Sequence, residues 1–425
     1  MEHSYKIPYD KTHLTLTLPA PWSAEVIAPA TPPLPPDPQR TIEQALDVPL
    51  GARRLLDYTG AHSAAIAISD KTRPVPHALL LPPLLARIEA LGLPPEAITL
   101  IIATGTHLPM PPDDFARVVP PDILARYPVT SHNIDDTANL AYLGETARQT
   151  PVWINRRFVE ADLRVVVGNI EPHQFMGFSG GAKCAAIGLA GHRTIDHNHA
   201  MLSHPDARLG CYDANPMRQD VEDIGEMAGV HFALNSILDR QKRLVTALFG
   251  TPRTLMQQGI RQTRAICQVP VTAPFDLLVT APGGAPKDIN LYQAQKAFGH
   301  AAPVTKPGGT VILVAACPEG TGSTGYERWI LDPEAGLTSH AAVLERFKRE
   351  GFRIGPHKAF QIARDAQRVR LLLVSEMSED FTRRLLIEPV PPDRLNDVVA
   401  QILAELPRDA HVGVMPMANS TVPML

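Results

Sequence analysis

The sequence predicts an α/β protein of two domains, each a mainly parallel sheet flanked by helices, with the active site in the cleft between the domains. Three observations predict it. Apolar runs at 64–69 (AAIAIS), 99–104 (TLIIAT) and 163–170 (LRVVVGNI) carry no polar alternation, as expected of strands buried on both faces. Segments of helical length and spacing lie between such runs, as in ALLLPPLLARIEALG, whose prolines fall near its start. The same rhythm resumes after residue 272, and 425 residues suffice for two or three domains of ordinary size.

Taken in order, HLTLTL (13–18) alternates with period two and reads as an early strand. APATPPLPPDP (28–38) reads as a stiff connection, and Thr41 is placed to cap the short helix TIEQAL. In the second half, DLLVTAPGG, a helix through NLYQAQKAFGH and GGTVILVAAC form a strand–helix–strand unit. ERFKREG, FQIARDA and VRLLLVSE continue it, and LNDVVAQILAEL closes it. The prolines of CQVPVTAP (267–274) mark the boundary. The expected division is one domain over 1–268 and a second over 272–405, with a hinge at that boundary. A strand and tail over 406–425 fits either domain.

Composition excludes several classes of function. Forty Lys and Arg against 44 Asp and Glu leave a net charge of −4, without the basic footprint of a nucleic-acid binder or the polybasic cluster of a membrane-surface protein. No apolar run approaches the roughly 18 residues of a membrane span. The N-terminal MEHSYKIPYDKTHLTLTLP lacks the charged and then apolar regions of a secretory signal. Cys184, Cys211, Cys267 and Cys317 form no CxxC pair, which fits the reducing cytoplasm.

In a parallel sheet, ligands bind beyond the carboxyl ends of the strands, and here those ends carry the reactive side chains. After 64–69 come Asp70, Lys71, Thr72 and Arg73, with Pro74 biasing Arg73 to an extended conformation. That guanidinium suits a phosphate or carboxylate, or simply pairs with Asp70 at the surface. His107 follows Thr-Gly-Thr as a general base or a strand-end cap. The densest stretch, 171–204, holds His173, Ser179, Gly180, Gly181, Lys183, His192, His197, His199 and His204. Its Gly-Phe-Ser-Gly-Gly suits either an anion held by backbone amides or a tight turn into a buried small-residue helix. The phosphate-loop pattern GxxxxGK[ST] fails, because Ala182 and Cys184 stand where Gly and Ser or Thr are required. Lys183, the only lysine between Lys71 and Lys242, is a candidate activated amine. No HExxH occurs. His197 and His199 cannot share a helix face, whereas His192 and His199 can. Gln293 and Lys296, three apart, share a face and can reach one carboxylate, or form a solvated face.

Five segments in this order, SDKTRPVP (69–76), ATGTHLPM (103–110), EPHQFMGFSGGAK (171–183), TIDHNH (194–199) and NLYQAQK (290–296), resemble the nickel-dependent lactate racemase family. PYDK (8–11) and GGTVILVA (308–315) resemble it too, so the likeness spans nearly the whole chain. The resemblance implies a nickel pincer nucleotide, a pyridinium mononucleotide whose sulfur-bearing arms hold nickel. It implies cofactor contacts from Asp70, Thr72, Arg73, Ser179, Gly180, Gly181 and Lys183, with covalent attachment possible at Lys183, and His199 as the metal ligand. His107 and His173 become the acid/base pair, and Tyr292, Gln293 and Lys296 hold the substrate. Two sulfurs, a carbon and one imidazole give nickel a square-planar set, so the chain needs no multi-histidine motif.

The implied reaction is racemisation or epimerisation of lactate or a related 2-hydroxy acid by reversible hydride transfer. The Cα–H is too weak an acid for histidine, so a cofactor carries the hydride while each histidine serves one hydroxyl orientation. The implied partners are a small 2-hydroxy acid and the proteins that make the cofactor. Ala182 replaces an arginine of the family pattern, and Ala185-Ala186-Ile187-Gly188 a Leu-Pro-Gly-type run. GPHKAFQIAR (355–364) stands where a bulky substrate-facing aromatic is expected, with His357 or Phe360 in its place, which leaves the substrate side chain open. Two rivals remain. A dehydrogenase using free NAD lacks its GxGxxG strand–turn–helix signal. A non-catalytic nickel-nucleotide binder would need neither His107 nor His173.

Overall fold

The computed structural model describes residues 2–51 and 53–425, in two compact units. One unit covers Thr31–Ile266 and the other joins the chain up to Ala30 with Cys267–Leu425.

The unit over Thr31–Ile266 is built on a six-stranded sheet in the order Leu244–Gly250, Phe232–Leu238, Leu163–Asn169, Ala64–Ser69, Ile98–Ala103 and Val129–Ser131. All neighbours pair in parallel except the antiparallel edge strand Leu244–Gly250. Successive strand residues point to opposite faces, and both faces are covered. Ile66, Ile68, Leu100, Ile102, Val165 and Val167 share one core, while the alternate Ala65, Ala67, Ile101 and Val166 are buried as well. That double burial is why these strands read as unbroken apolar runs. Counted in chain order, the six strands lie 3-2-1-4-5-6 across the sheet. The winding therefore reverses between Ala64–Ser69 and Leu163–Asn169, and in open α/β sheets the carboxyl ends at such a reversal flank the ligand crevice.

The other unit has an all-parallel sheet in the order Glu388–Val390, Arg370–Val374, Thr305–Val314, Phe275–Thr280, Val412–Met415 and Glu25–Val26. Leu278, Val311 and Leu313 face a core shared with the helices Leu291–Ala301 and Pro356–Ala366. Leu277, Val279, Ile312 and Val314 face the opposite way, against Ile7, Leu16 and Leu18 of the hairpin His3–Tyr9/Thr12–Leu18 and against the helix Leu395–Glu405. Here too the winding reverses, next to Phe275–Thr280, whose carboxyl end leads to Leu291–Ala301.

The structure corrects several sequence expectations. Residues up to Ala30 leave the expected 1–268 domain and join the unit of 267–425, because the alternating apolar face of the hairpin covers that sheet and Glu25–Val26 adds a strand to it. The tail over 406–425 belongs to the same unit, with Val412–Met415 inside the sheet between Phe275–Thr280 and Glu25–Val26. Asp37, not Thr41, caps the first helix, Pro38–Asp47. Its carboxylate accepts from the Arg40 amide at 3.0 Å, so proline takes the first helical position and Thr41 bonds back to the Asp37 carbonyl. The helix expected from residue 78 begins at His77, which places Pro82 and Pro83 inside it rather than near its start. Among the described residues no helix is long and apolar enough to cross a membrane.

Leu16 is fully buried under the sheet of the second unit. Leu16→Ala is expected to lower the unfolding free energy by about 2–5 kcal/mol. A loss near zero in chemical denaturation would show that the hairpin does not seal this core.

Candidate active site

In the unit over Thr31–Ile266, the strand Ala64–Ser69 runs into Asp70. Asp70 Oδ1 accepts from the Thr72 amide at 3.1 Å and the Thr72 hydroxyl at 2.6 Å, closing a tight turn. Its Oδ2 lies 2.7 Å from His107 Nδ1. Burial alone would raise the Asp70 carboxyl. Hydrogen bonds from His107 and Thr72, with the charges of His107 and Arg73, outweigh it and hold the carboxyl below the usual carboxylate range. The ionised carboxylate assigns the imidazole proton to Nδ1 and leaves Nε2 of the half-exposed His107 as an acceptor. The simple Asp70–Arg73 surface pair is not formed, since Asp70 is buried and both its oxygens are engaged elsewhere.

The neighbouring strand Leu163–Asn169 leads to a small antiparallel bridge in which Pro172 faces Phe178 and His173 faces Gly177. The Met176 amide donates to His173 Nδ1 at 3.3 Å. A neutral His173 therefore carries its proton on Nε2, the opposite tautomer to His107. Phe175 meets both His173 (ring centroids 4.6 Å) and His199 (5.7 Å) edge to face, and so relates the two imidazoles. The sequence reading gave Phe175 no role.

The glycine-bearing loop is more internally bonded than expected. The amides of Ser179 and Gly181 donate to the Glu171 carbonyl (2.9 Å) and Asn235 Oδ1 (2.7 Å), and the Lys183 amide to the Gly180 carbonyl (3.3 Å). The Ser179 hydroxyl donates to the Asn169 carbonyl at 3.1 Å. These bonds hold the loop from within. Lys183 opens only a single turn, Lys183–Ala186, instead of a longer small-residue helix. Gly180 and Gly181 are required by backbone geometry: both have positive φ (93° and 58°), and a Cβ on Gly181 would sit 2.5 Å from Met256 Cγ.

What fixes the loop is Arg218, which composition and motif reading missed. The helix Pro216–Met227 is capped by Asn215, whose side chain accepts from the Arg218 amide at 3.2 Å. The fully buried Arg218 guanidinium donates to Glu222 Oε1 (2.5 Å), the Gly180 carbonyl (3.1 Å) and the Phe178 carbonyl (3.4 Å). The available signal was Asn-Pro followed by Arg and, four residues on, Glu: a helix start carrying an i,i+4 ion pair. Ala182 lies against Gly225 of the same helix, where an added Cβ would come within 2.2 Å of its methyl. Burial, then the charges of Arg73 and Arg218, push the partly buried Lys183 ammonium down to about 7, with Glu171 opposing.

His199 sits on the helix His192–Ala200. Asn198, one position back, is buried and donates to Asp220 Oδ2 (2.9 Å) and the Met217 carbonyl (3.0 Å). Asp220 also accepts from Thr146 and Thr150, and Thr150 meets His197 Nδ1 at 2.9 Å. This network sets the rotation of the helix and so where His199 points. His192 instead meets Asp135 Oδ1 at 2.9 Å.

The remaining predicted residues lie in the other unit, on Leu291–Ala301, capped by Asn290. Lys296 Nζ donates to Gln293 Oε1 at 2.6 Å, so these two do share a face. His357 meets the Tyr292 ring edge to face at 5.9 Å, whereas Phe360 stacks on Phe347 in the core at 4.5 Å. Of the two residues left open, His357 is the one beside Tyr292.

Two family models match the chain: the lactate racemase N-terminal domain over residues 9–210 and the lactate racemase C-terminal domain over 271–422. The lactate racemase of Lactiplantibacillus plantarum is 32% identical over 297 residues, 69% of this chain and 70% of that protein. The lactate racemase of Thermoanaerobacterium thermosaccharolyticum is 31% identical over 312 residues, 73% of each. The chain belongs to the lactate racemase family. The solved apoprotein structure of the T. thermosaccharolyticum lactate racemase superposes over the full length of both chains, with a TM-score of 0.91 and 27% identity. A Thermotoga maritima protein with a TM-score of 0.69 and 17% identity, covering 91% of this chain and 98% of its own, shares the fold.

The donor set fits the metal-bearing nucleotide that the family resemblance implies. Among the described residues no group of three or more His, Cys, Asp or Glu is arranged to hold a metal. His199 offers one imidazole, and Lys183 an amine uncharged in good part at neutral pH.

This shift has a direct readout. Acylation of Lys183, followed by peptide mass spectrometry, should speed up as pH rises through about 7 and level off above it, because only the free amine reacts. A midpoint near that of ordinary lysines would contradict the burial argument.

Proposed function

We propose that the chain is an isomerase that racemises a small 2-hydroxy acid, lactate or a relative with another side chain, using a nickel pincer nucleotide. The family membership supports the reaction class, and the curated relatives carry the name lactate racemase. The observation that carries the reading is the Asp70–His107 pair, a buried carboxylate 2.7 Å from Nδ1 that leaves Nε2 of His107 as a proton acceptor.

Inverting a carbon that bears a hydroxyl calls for such a pair. Imidazole cannot remove the Cα hydrogen as a proton, but it can take the hydroxyl proton. When bound, the nucleotide supplies a reversible acceptor for the hydride of Cα. His107, as the neutral ring, takes the hydroxyl proton of one enantiomer as the carbon becomes planar, and His173, as the imidazolium, returns a proton to that oxygen in the other and ends as the neutral ring. The reverse reaction exchanges their roles. Asp70 keeps His107 in the accepting tautomer and stabilises the imidazolium that forms. Lys296, steadied by Gln293, anchors the carboxylate beside Tyr292.

Lys183 is the attachment point for the nucleotide, His199 its metal ligand, and Arg73 the charge for its phosphate. Thr72, Gly180 and Gly181 shape the loops that carry these groups. The cofactor comes from biosynthesis proteins. The four cysteines are free thiols, in keeping with a place in the cytoplasm.

The test is the protein produced together with those biosynthesis proteins. Nickel should co-purify, Lys183 should carry the nucleotide mass, and a chiral 2-hydroxy acid should racemise. His107→Asn and His173→Asn should each lower turnover by about 10²–10⁴-fold, the usual range for a lost general acid or base, at unchanged nickel content. Near-normal turnover in either variant would remove that histidine from the reaction.

A further inference from the structure

Lys358 is an unusual residue for the inner face of a helix. It lies on Pro356–Ala366, only 4% exposed, with Nζ 4.8 Å from the centroid of the Tyr292 ring. Its hydrogen-bond partner is neutral, Gln361 Oε1 at 3.0 Å, and among the described residues no carboxylate lies within ion-pair distance of it. Burying an ammonium without a counter-charge is costly. Burial, then the charge of Lys296, hold this ammonium well below the usual lysine range, the reverse of what a partner carboxylate would do.

A second observation points the same way. Gln361 is 1% exposed, and its Nε2 is buried without a hydrogen-bond acceptor. Because Gln361 Oε1 already accepts from Lys358, that orphan amide donor lies beside the ammonium. Two adjacent donors match the two oxygens of one carboxylate. The arrangement also repeats the first anchor: Lys296 donates to Gln293 three residues back, and Lys358 to Gln361 three residues on. A 2-hydroxy monoacid such as lactate has one carboxylate, which Lys296 and Gln293 take.

We propose that Lys358 and Gln361 receive a second carboxylate on the substrate side chain, so that the preferred substrate is a dicarboxylic 2-hydroxy acid. This rests on the reading of Tyr292, Gln293 and Lys296 as the substrate anchor. The Tyr292 ring, against which Lys358 Nζ lies, serves as the wall along which the carbon chain lies. His357, edge-on to the same ring, narrows the space where the family pattern has a bulky aromatic.

The experiment compares enantiopure malate, lactate and 2-hydroxybutyrate with the cofactor-loaded enzyme, read by chiral chromatography. The butyrate controls for side-chain length without charge. The expected result is a kcat/KM for malate at least about tenfold above both monoacids, the order of one charge-assisted hydrogen bond. Lys358→Met should lower the malate-to-lactate ratio by at least about tenfold, mainly through KM for malate. Lys358→Arg, which keeps the charge, should restore part of that ratio. Should Lys358→Met fail to fold, the preference of the unmodified enzyme and the arginine variant still decide. Lactate or 2-hydroxybutyrate turned over as well as malate, or a ratio unmoved by Lys358→Met, overturns the second carboxylate site while leaving the racemase reading intact. Turnover of none of the three removes the racemase reading and this inference with it.

Discussion

The buried Arg218–Glu222 pair is the interaction on which the cofactor side of the site depends. Its guanidinium carries no exposed surface, yet it bonds to two loop carbonyls as well as to the carboxylate, and it lies against the Tyr212 ring. A buried ion pair is weak evidence for added stability, because desolvation offsets the attraction. Its effect here is positional. The loop and the turn Lys183–Ala186 are set against the helix Pro216–Met227, and burial with the charges of Arg73 and Arg218 lowers the proton affinity of the Lys183 amine. The same helix holds Asp220, which through Asn198 fixes the helix that bears His199. One helix thus orients both the amine and the imidazole, and the charge that secures the loop also lowers the proton affinity of the amine.

The second constraint is topological. The sheet of residues 31–266 reverses its winding between Ala64–Ser69 and Leu163–Asn169, and the loops that follow those strands deliver Asp70 and His173. His107 comes from the end of the next strand, Ile98–Ala103, through a turn whose amide at His107 bonds back to Thr104. The two histidines reach their opposite tautomers by different means, one by a carboxylate and the other by a backbone amide.

Much of this was legible in the sequence, and the reasons differ from residue to residue. The parallel strands were visible because both faces are buried, which leaves an unbroken apolar run. The second strand of the hairpin was visible at 13–18, but its partner at 3–9 and its allegiance were not: alternation shows that a face is apolar without showing which sheet it covers. Asp70, His107 and Lys183 stood out because reactive side chains at strand ends and a lone lysine have few bland explanations. Arg218 and Phe175 were missed because an arginine in a charged helix and a phenylalanine in a loop look ordinary until packing buries one and sets the other between two imidazoles. At Ser179 the sequence could not show that the hydroxyl donates to the Asn169 carbonyl, because that bond depends on how the loop folds back on its strand.

The central claim is that His107 and His173 handle only the hydroxyl proton, while the hydrogen on Cα travels as hydride and never mixes with water. Racemisation of an unlabelled substrate in heavy water, followed by mass spectrometry of both enantiomers, tests it most directly. The account predicts a product whose Cα keeps its original hydrogen through many turnovers. Deuterium at Cα in proportion to the number of inversions would contradict it.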